Sequence, residues 1–474
     1  MTSPQLITYP DRLAPDLSAL GDLLDGPLRG AFGGVHVLPF FDPIDGADAG
    51  FDPIDHLRVD PRIGTWSDIA RLATGRTVMA DLIVNHVSAH STMFSDVLER
   101  GERSAHRPLF LDPVAVFGRP PTADDLAPVY RPRPTPPITE FVFADGATVP
   151  FWTTFSAEQI DIDVESPAGW EYLVSIIDAL DLAGVTQIRF DAVGYAIKRA
   201  GTSCFMIPDT FDFIERVADM CHERGIDVLV EVHSHYLDQL AIAERVDLVY
   251  DFALPPLVLD ALFTGRGDAL RQWIAIRPTN AVTVLDTHDG IGVVDVGVDP
   301  RHPSRPGLLA PARIDALVEG IHERSRGESQ QATGAAASNL DLYQVNCTFF
   351  DALGGDEQRY LAARLIQLLL PGTPQIYYVG LLAGGNDLDL LMDTGVGRDI
   401  NRHHFTSDEI DQALERPVVQ RLLGLLRWRA TEPAFDGSFE LLDTPEHELA
   451  VRWSSPASTF EATVDFTTGE YSIT

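Results

Sequence analysis

Three carboxylates in this 474-residue chain sit at the end of apolar, strand-like runs: Asp191 ends VTQIRFD, Glu231 ends DVLVE, and Asp289 follows AVTVLDTH. If those strands are parallel and close into a barrel, their C-terminal ends meet at one mouth and the acids face a pocket. Cleaving a glycosidic bond with retention needs two such groups. An ionised carboxylate attacks the anomeric carbon, and a protonated carboxyl about 5–5.5 Å away hands a proton to the leaving oxygen. Asp191 and Glu231 suit these roles, since they lie about forty residues apart, one βα unit. Arg189, two residues before Asp191 and so on the same strand face, would keep Asp191 ionised by charge pairing. Glu231 would need a drier setting to hold its proton. A single acid at a strand end is commonly a helix cap or a loop ion pair. Three at one mouth point to chemistry, with His86 and His288 as polar neighbours that could touch a substrate.

The elements that must position these acids are legible as eight short apolar segments: Leu6–Tyr9, Gly34–Phe40, Thr77–Val84, Val185–Phe190, Asp227–Val230, Leu248–Phe252, Ala281–Leu285 and Gln375–Val379. Helix-like stretches separate most of them, and such alternation implies parallel pairing. The expected fold is therefore α/β, a (β/α)8 TIM barrel. Ser166–Pro167 reads as the cap and first turn of a helix over Trp170–Ala183, and Asp209 opens another that Gly225 closes. In the second, Phe211, Ile214, Val217, Ala218 and Cys221 share one face, which makes Cys221 an ordinary core residue.

About a hundred residues, among them FGRPPTADDLAPVYRPRPTPP, separate the third segment from the fourth, too many for a plain loop. We read 87–165 as an inserted subdomain and 291–353 as a second one, whose stretch GESQQATGAAASNLDLYQVN has the composition of a movable loop. The barrel takes 1–86, 166–290 and 354–432. In 433–474 the segments Phe439–Leu442, Leu449–Trp453 and Phe460–Phe466 predict a small antiparallel β domain.

The net charge of −35 makes nucleic acid or an anionic membrane an unfavourable partner, so the expected substrates are small and any anion needs a locally placed arginine. Three cysteines, Cys204, Cys221 and Cys347, form neither a disulfide framework nor a metal-ligand spacing. With no basic-apolar leader at the start, a cytoplasmic location is the expectation.

The strings DLIVNH, IRFDAVGY, LVEVH and LDTHD resemble the four sequence regions of the α-amylase-type glycoside hydrolases. GFDPIDH, YRPRP, FDAVGYAIKRAGTSCFMIP, VYDFALPPL, QATGAAASNLDLYQVN and GRDINRH are similar, over roughly residues 5–430, to the sucrose phosphorylases within that group. The resemblance implies reversible conversion of sucrose and phosphate into α-D-glucose 1-phosphate and fructose through a glucosyl ester. Asp191 would be the nucleophile, Glu231 the acid/base, and Asp289 the carboxylate that grips the glucosyl 2- and 3-hydroxyls. It assigns His86 and His288 to glucose hydroxyls, Asp48 and Arg398 to a clamp at the closed end, and Phe51, Phe155 and Tyr195 to the apolar walls. Arg133 in YRPRP becomes the phosphate ligand. Leu340, Asp341, Tyr343 and Gln344 fall on a loop serving fructose and phosphate in turn, with Tyr130, Gln159 and His233 bordering the acceptor site. Asn85 coincides with a calcium ligand of the α-amylases, an ion on which the phosphorylases do not depend. No metal and no cofactor is expected beyond phosphate as co-substrate, and some relatives imply a homodimer. Sister phosphorylases of glucosylglycerate, glucosylglycerol or sucrose 6′-phosphate share these catalytic residues, and a non-catalytic amylase-like binding subunit would lack them. One departure is His235 in EVHSHY, where the resemblance leads one to expect Tyr.

Overall fold

The computed structural model describes residues 3–46, 48–131, 135–299, 302–334 and 344–474. Its centre is a closed barrel of eight parallel strands: β1 (Gln5–Thr8), β2 (Gly34–Val37), β3 (Thr77–Ile83), β4 (Gln187–Asp191), β5 (Asp227–Val230), β6 (Leu248–Asp251), β7 (Ala281–Thr283) and β8 (Thr373–Tyr377). Each pairs with its sequence neighbours, and β8 closes onto β1 through Leu6 opposite Ile376. Parallel strands covered by helices are buried on both faces, which is why they read as nearly continuous apolar runs. All eight expected segments are strands, most of them shifted by one or two residues because a strand's pairing ends before its apolar run does.

Inward positions recur every second residue, and the barrel interior is filled in layers. Met79, Leu229, Tyr250 and Val282 form an apolar layer, and hydrogen-bonded polar groups share the interior with it. Gln5 Nε2 donates to Gln187 Oε1 at 2.7 Å, Gln375 Nε2 to Gln5 Oε1 at 3.2 Å, and the Tyr250 hydroxyl to Gln375 Oε1 at 3.1 Å. His36, Asp81 and Arg189 continue this set upward, and all three are buried. The inward period of β4 places Gln187, Arg189 and Asp191 in one line from this set to the mouth.

Ser166 caps the helix Pro167–Leu182, its hydroxyl accepting from Gly169 N at 3.0 Å. The helix expected to open at Asp209 starts instead at Pro208, since proline suits a first turn and Asp209 then adds a favourable acid there. Phe213, with Ile214, Val217, Ala218 and Cys221, forms its buried face. Phe211 on the same face is half-buried, packing against the core with the Arg245 guanidinium over its ring.

Between β3 and β4, His86–Ser88 runs antiparallel to Gln159–Asp161, and a hairpin pairs Ile138–Val142 with Thr148–Trp152 over a cluster of Phe94, Phe110, Phe141 and Phe151. After β7 the chain makes a short pair, Ile291–Gly292 with Gln344–Val345, and the helix Pro311–Arg324. The C-terminal sheet has four strands, β9 (Ser438–Leu441), β10 (Glu448–Ser454), β11 (Thr459–Asp465) and β12 (Tyr471–Ile473). β12 has three residues, too few for a pattern to register in the sequence. Trp453 ties the sheet to the barrel by donating its indole N–H to Leu369 O at 2.7 Å. All three cysteines are free and buried, and no helix among the described residues is long and apolar enough to cross a membrane.

Candidate active site

Asp191 is the last residue of β4, and the chain turns at once through Ala192, whose φ of 54° is left-handed. Gly194 follows because a Cβ there would stand 2.8 Å from the Phe205 ring, which packs against Tyr130 and Tyr195 at centroid distances of 4.9 and 4.7 Å. Glu231 lies one residue beyond β5 and Asp289 six beyond β7. All three acids line a single pocket at the C-terminal ends of the strands.

Arg189 joins Asp191 and Glu231. Its Nη1 lies 3.1 Å from an Asp191 oxygen and its Nη2 2.6 Å from Glu231 Oε1, so both carboxylates sit on one planar fork. Nη1 also meets Asp81, which in turn lies 3.0 Å from His36 Nε2. One buried guanidinium therefore serves three acids. Burial, with the charges of Glu231 and Asp81 added, pushes the Asp191 carboxyl well above the ordinary carboxylate range despite Arg189. Arg189 pairs with Asp191 as expected from its strand face, but a cation shared with Asp81 and Glu231 does not offset burial and two like charges. Asp81 itself is held down at about 2; burial opposes its charge, but Arg189 and His36 outweigh it.

Asp289 has the opposite setting. Burial disfavours its charge, yet Arg398 Nη1 at 2.8 Å, with His288 and His233 beside it, holds it well below the usual range. Arg398 thus contacts Asp289 directly, while Asp48 contributes to its field. Asp48 also accepts from Gln159 Nε2 at 3.4 Å. His288 stacks on Phe51 at 4.9 Å, and burial depresses its pKa to about 3, so it is neutral. His86 is likewise depressed by burial and lies 3.0 Å from the Gln159 amide nitrogen and 2.9 Å from Phe51 O. Phe155 tilts against His86 at 5.2 Å and meets Tyr195 edge-on at 5.1 Å.

His233 behaves differently. Burial works against its charge, but contacts to Asp289 and Asp295 raise it to about 10, which makes it an imidazolium at neutral pH. Glu231, His233 and Asp289 offer ligand atoms within 4.8 Å of one another, a spacing that could hold a metal ion.

A second internal cation lies behind the wall. Lys198 Nζ sits 2.9 Å from Asn85 Oδ1 and 2.5 Å from Asp161 Oδ2 and also donates to Tyr195 O. Lys198→Met should lower unfolding free energy by about 3–5 kcal/mol in urea titration, because Asp161, fully buried, would lose the charge that balances it. A loss below about 1 kcal/mol, the range of surface pairs, would count against this account.

The pocket brings together the three acids, Asp48, Phe51, His86, Phe155, Tyr195, His288 and Arg398, and with them Tyr130, His233 and Gln344. Gln159 stands one layer behind, on His86 and Asp48. Arg133, Leu340, Asp341 and Tyr343 lie outside the described residues. Sequence reasoning missed Phe205, Asp81, Asp295 and Asp299. Of these only Asp81, an acid inside the apolar run TVMADLIV, carried a visible signal. His235 lines the pocket, and its ring is held between Pro306 O at 3.1 Å and Leu237 N at 3.4 Å.

No family model matches the chain. It is 55% identical over 476 residues to the sucrose phosphorylase of Agrobacterium vitis, covering all of this chain and 96% of that one. It is 52% identical over 463 residues to the sucrose phosphorylase of Bifidobacterium adolescentis, covering 98% and 91%. Among solved structures it superposes on the sucrose 6F-phosphate phosphorylase from Thermoanaerobacter thermosaccharolyticum with a TM-score of 0.91 at 36% identity, covering all of this chain and 95% of that one.

Proposed function

The chain belongs to the sucrose phosphorylase family, and from that premise we propose that it converts sucrose and phosphate reversibly into α-D-glucose 1-phosphate and D-fructose by double displacement on Asp191. The observation that supports this most is the fork of Arg189, which holds Asp191 and Glu231 side by side at the mouth. In the first step an Asp191 oxygen bonds to the glucosyl anomeric carbon as its bond to the fructosyl oxygen breaks, and Glu231 gives that oxygen a proton. In the second, a phosphate oxygen attacks the same carbon, Glu231 takes up the phosphate proton, and Asp191 leaves as a carboxylate. Two inversions give net retention.

The reaction needs one proton on this pair, and needs it on Glu231. Arg189, which contacts both carboxylates, couples their charges. Asp289, kept ionised, is suited to grip glucosyl hydroxyls, and the neutral rings of His86 and His288 can donate to others.

Incubation with sucrose, with and without phosphate, tests the reading: glucose 1-phosphate must appear in step with fructose when phosphate is present. Free glucose alone would overturn it, and preference for glucosylglycerol, glucosylglycerate or sucrose 6′-phosphate would move the assignment to a sister activity. The family resemblance gives Arg133 the phosphate. Arg133→Ala should raise KM for phosphate by about tenfold to a hundredfold, the value of a charged hydrogen bond, with hydrolysis of sucrose little changed. Equal losses in both reactions would remove that role. A cytoplasmic homodimer is the expected setting, with gel filtration the check on its size.

A further inference from the structure

His233 is fixed on three sides. Its ring stacks on Phe252 at 3.8 Å, its Nε2 points toward Glu231 and Asp289 at 4.0 and 3.8 Å, and its Nδ1 lies 3.6 Å from Asp295 Oδ2. Asp295 is wholly buried in the 3-10 turn Val294–Val296, beneath the pocket rather than in it. Gln239 Nε2 donates to its other oxygen at 2.8 Å, which leaves Oδ2 aimed at the imidazole. The approach depends on Gly292, since a Cβ there would stand 2.4 Å from that same oxygen.

A buried carboxylate with one oxygen tied to an amide and the other facing a ring nitrogen stabilises the protonated ring. We propose that Asp295 is a positioning residue that keeps His233 a fixed cation, so that a phosphate anion can enter beside Glu231 and Asp289 and compete with water for the glucosyl ester. This rests on the phosphorylase reading. Water needs no cation to enter, whereas phosphate, whichever arginine the loops bring to it, must come up against Glu231 and Asp289, and the two described arginines beside those acids are engaged. Arg189 is taken by Asp81, Asp191 and Glu231, and Arg398 by Asp289. The charged groups facing His233 are Glu231 at the end of β5 and Asp289 and Asp295 from the segment after β7. The ring's positive charge is present below its folded pKa of about 10 and lost above it.

The test is Asp295→Asn in the full chain. Titrating His233 by NMR and measuring the ratio of glucose 1-phosphate to free glucose formed from sucrose at fixed, subsaturating phosphate give two independent readouts. We expect the ring to titrate at least one unit lower and the ratio to begin falling at a correspondingly lower pH, reaching about fivefold below that of the parent at pH 10 for a one-unit shift. His233→Gln, which removes the charge at every pH, should lower the ratio about tenfold at neutral pH as well, and adding Asp295→Asn to it should change nothing further. An unchanged titration, or glucose 1-phosphate and glucose falling together, overturns the proposal. Should Asp295→Asn fail to fold, an unaltered ratio in His233→Gln overturns it equally. If the parent chain makes no glucose 1-phosphate at all, the functional reading fails, while the titration still reports on the Asp295–His233 pair.

Discussion

Replacing Asp191 with alanine should lower glucosyl transfer from sucrose by about 10⁴-fold or more, because it removes the covalent route and leaves only binding and electrostatics. The fold should survive. Asp191 ends β4 beyond the strand's packed interior, and its removal leaves Arg189 with two acids in place of three. The melting temperature should therefore hold or rise by a few degrees, as expected where a catalytic group sits in an unfavourable environment. Steady-state release of fructose and a thermal melt decide the matter together. Residual activity above about one per cent would mean that another group forms the ester, since loss of a nucleophile removes far more than that.

Glu231→Gln should reduce sucrose cleavage by about 10²–10⁴-fold, the usual worth of a positioned proton donor. The loss should depend on the leaving group. Fructose departs as an alkoxide unless protonated, whereas fluoride leaves from α-glucosyl fluoride without help, so ester formation from that substrate should stay within about tenfold of the parent. The alkaline limb of the sucrose pH profile, set by the acid that must keep its proton, should disappear as well. Equal losses on both substrates would show that Glu231 works by holding Arg189 rather than by proton transfer, a reading its 2.6 Å contact makes worth separating.

The eight strands and the three mouth acids were legible because both leave local marks: an apolar run of fixed period and a charge at its end. The likeness of Arg189 and Asp191 in facing came from that same period of two. How Arg189 is shared was not legible. Asp81 lies on β3, a hundred-residue insertion away, and only the parallel pairing of β3 with β4 brings it opposite Arg189. Asp295 was invisible for a similar reason, since its meaning lies in a turn that meets His233 across the end of the barrel. The face of the helix Pro208–His222, by contrast, was legible from its own apolar spacing, with Phe211 at its edge packed against the core and Phe213 buried beside it. Arg133, Leu340, Asp341 and Tyr343 rest on family likeness alone.

Lys198 gives the wall of the site a counter-charge that cannot diffuse away. A mobile divalent ion at Asn85 and Asp161 would be drawn off by any strong ligand for it, and orthophosphate at working concentration is such a ligand. An amine held covalently at the end of a side chain is indifferent to that competition. A catalyst whose own reactant would scavenge alkaline-earth ions thus keeps its scaffold's charge balance independent of how much of that reactant the surroundings hold.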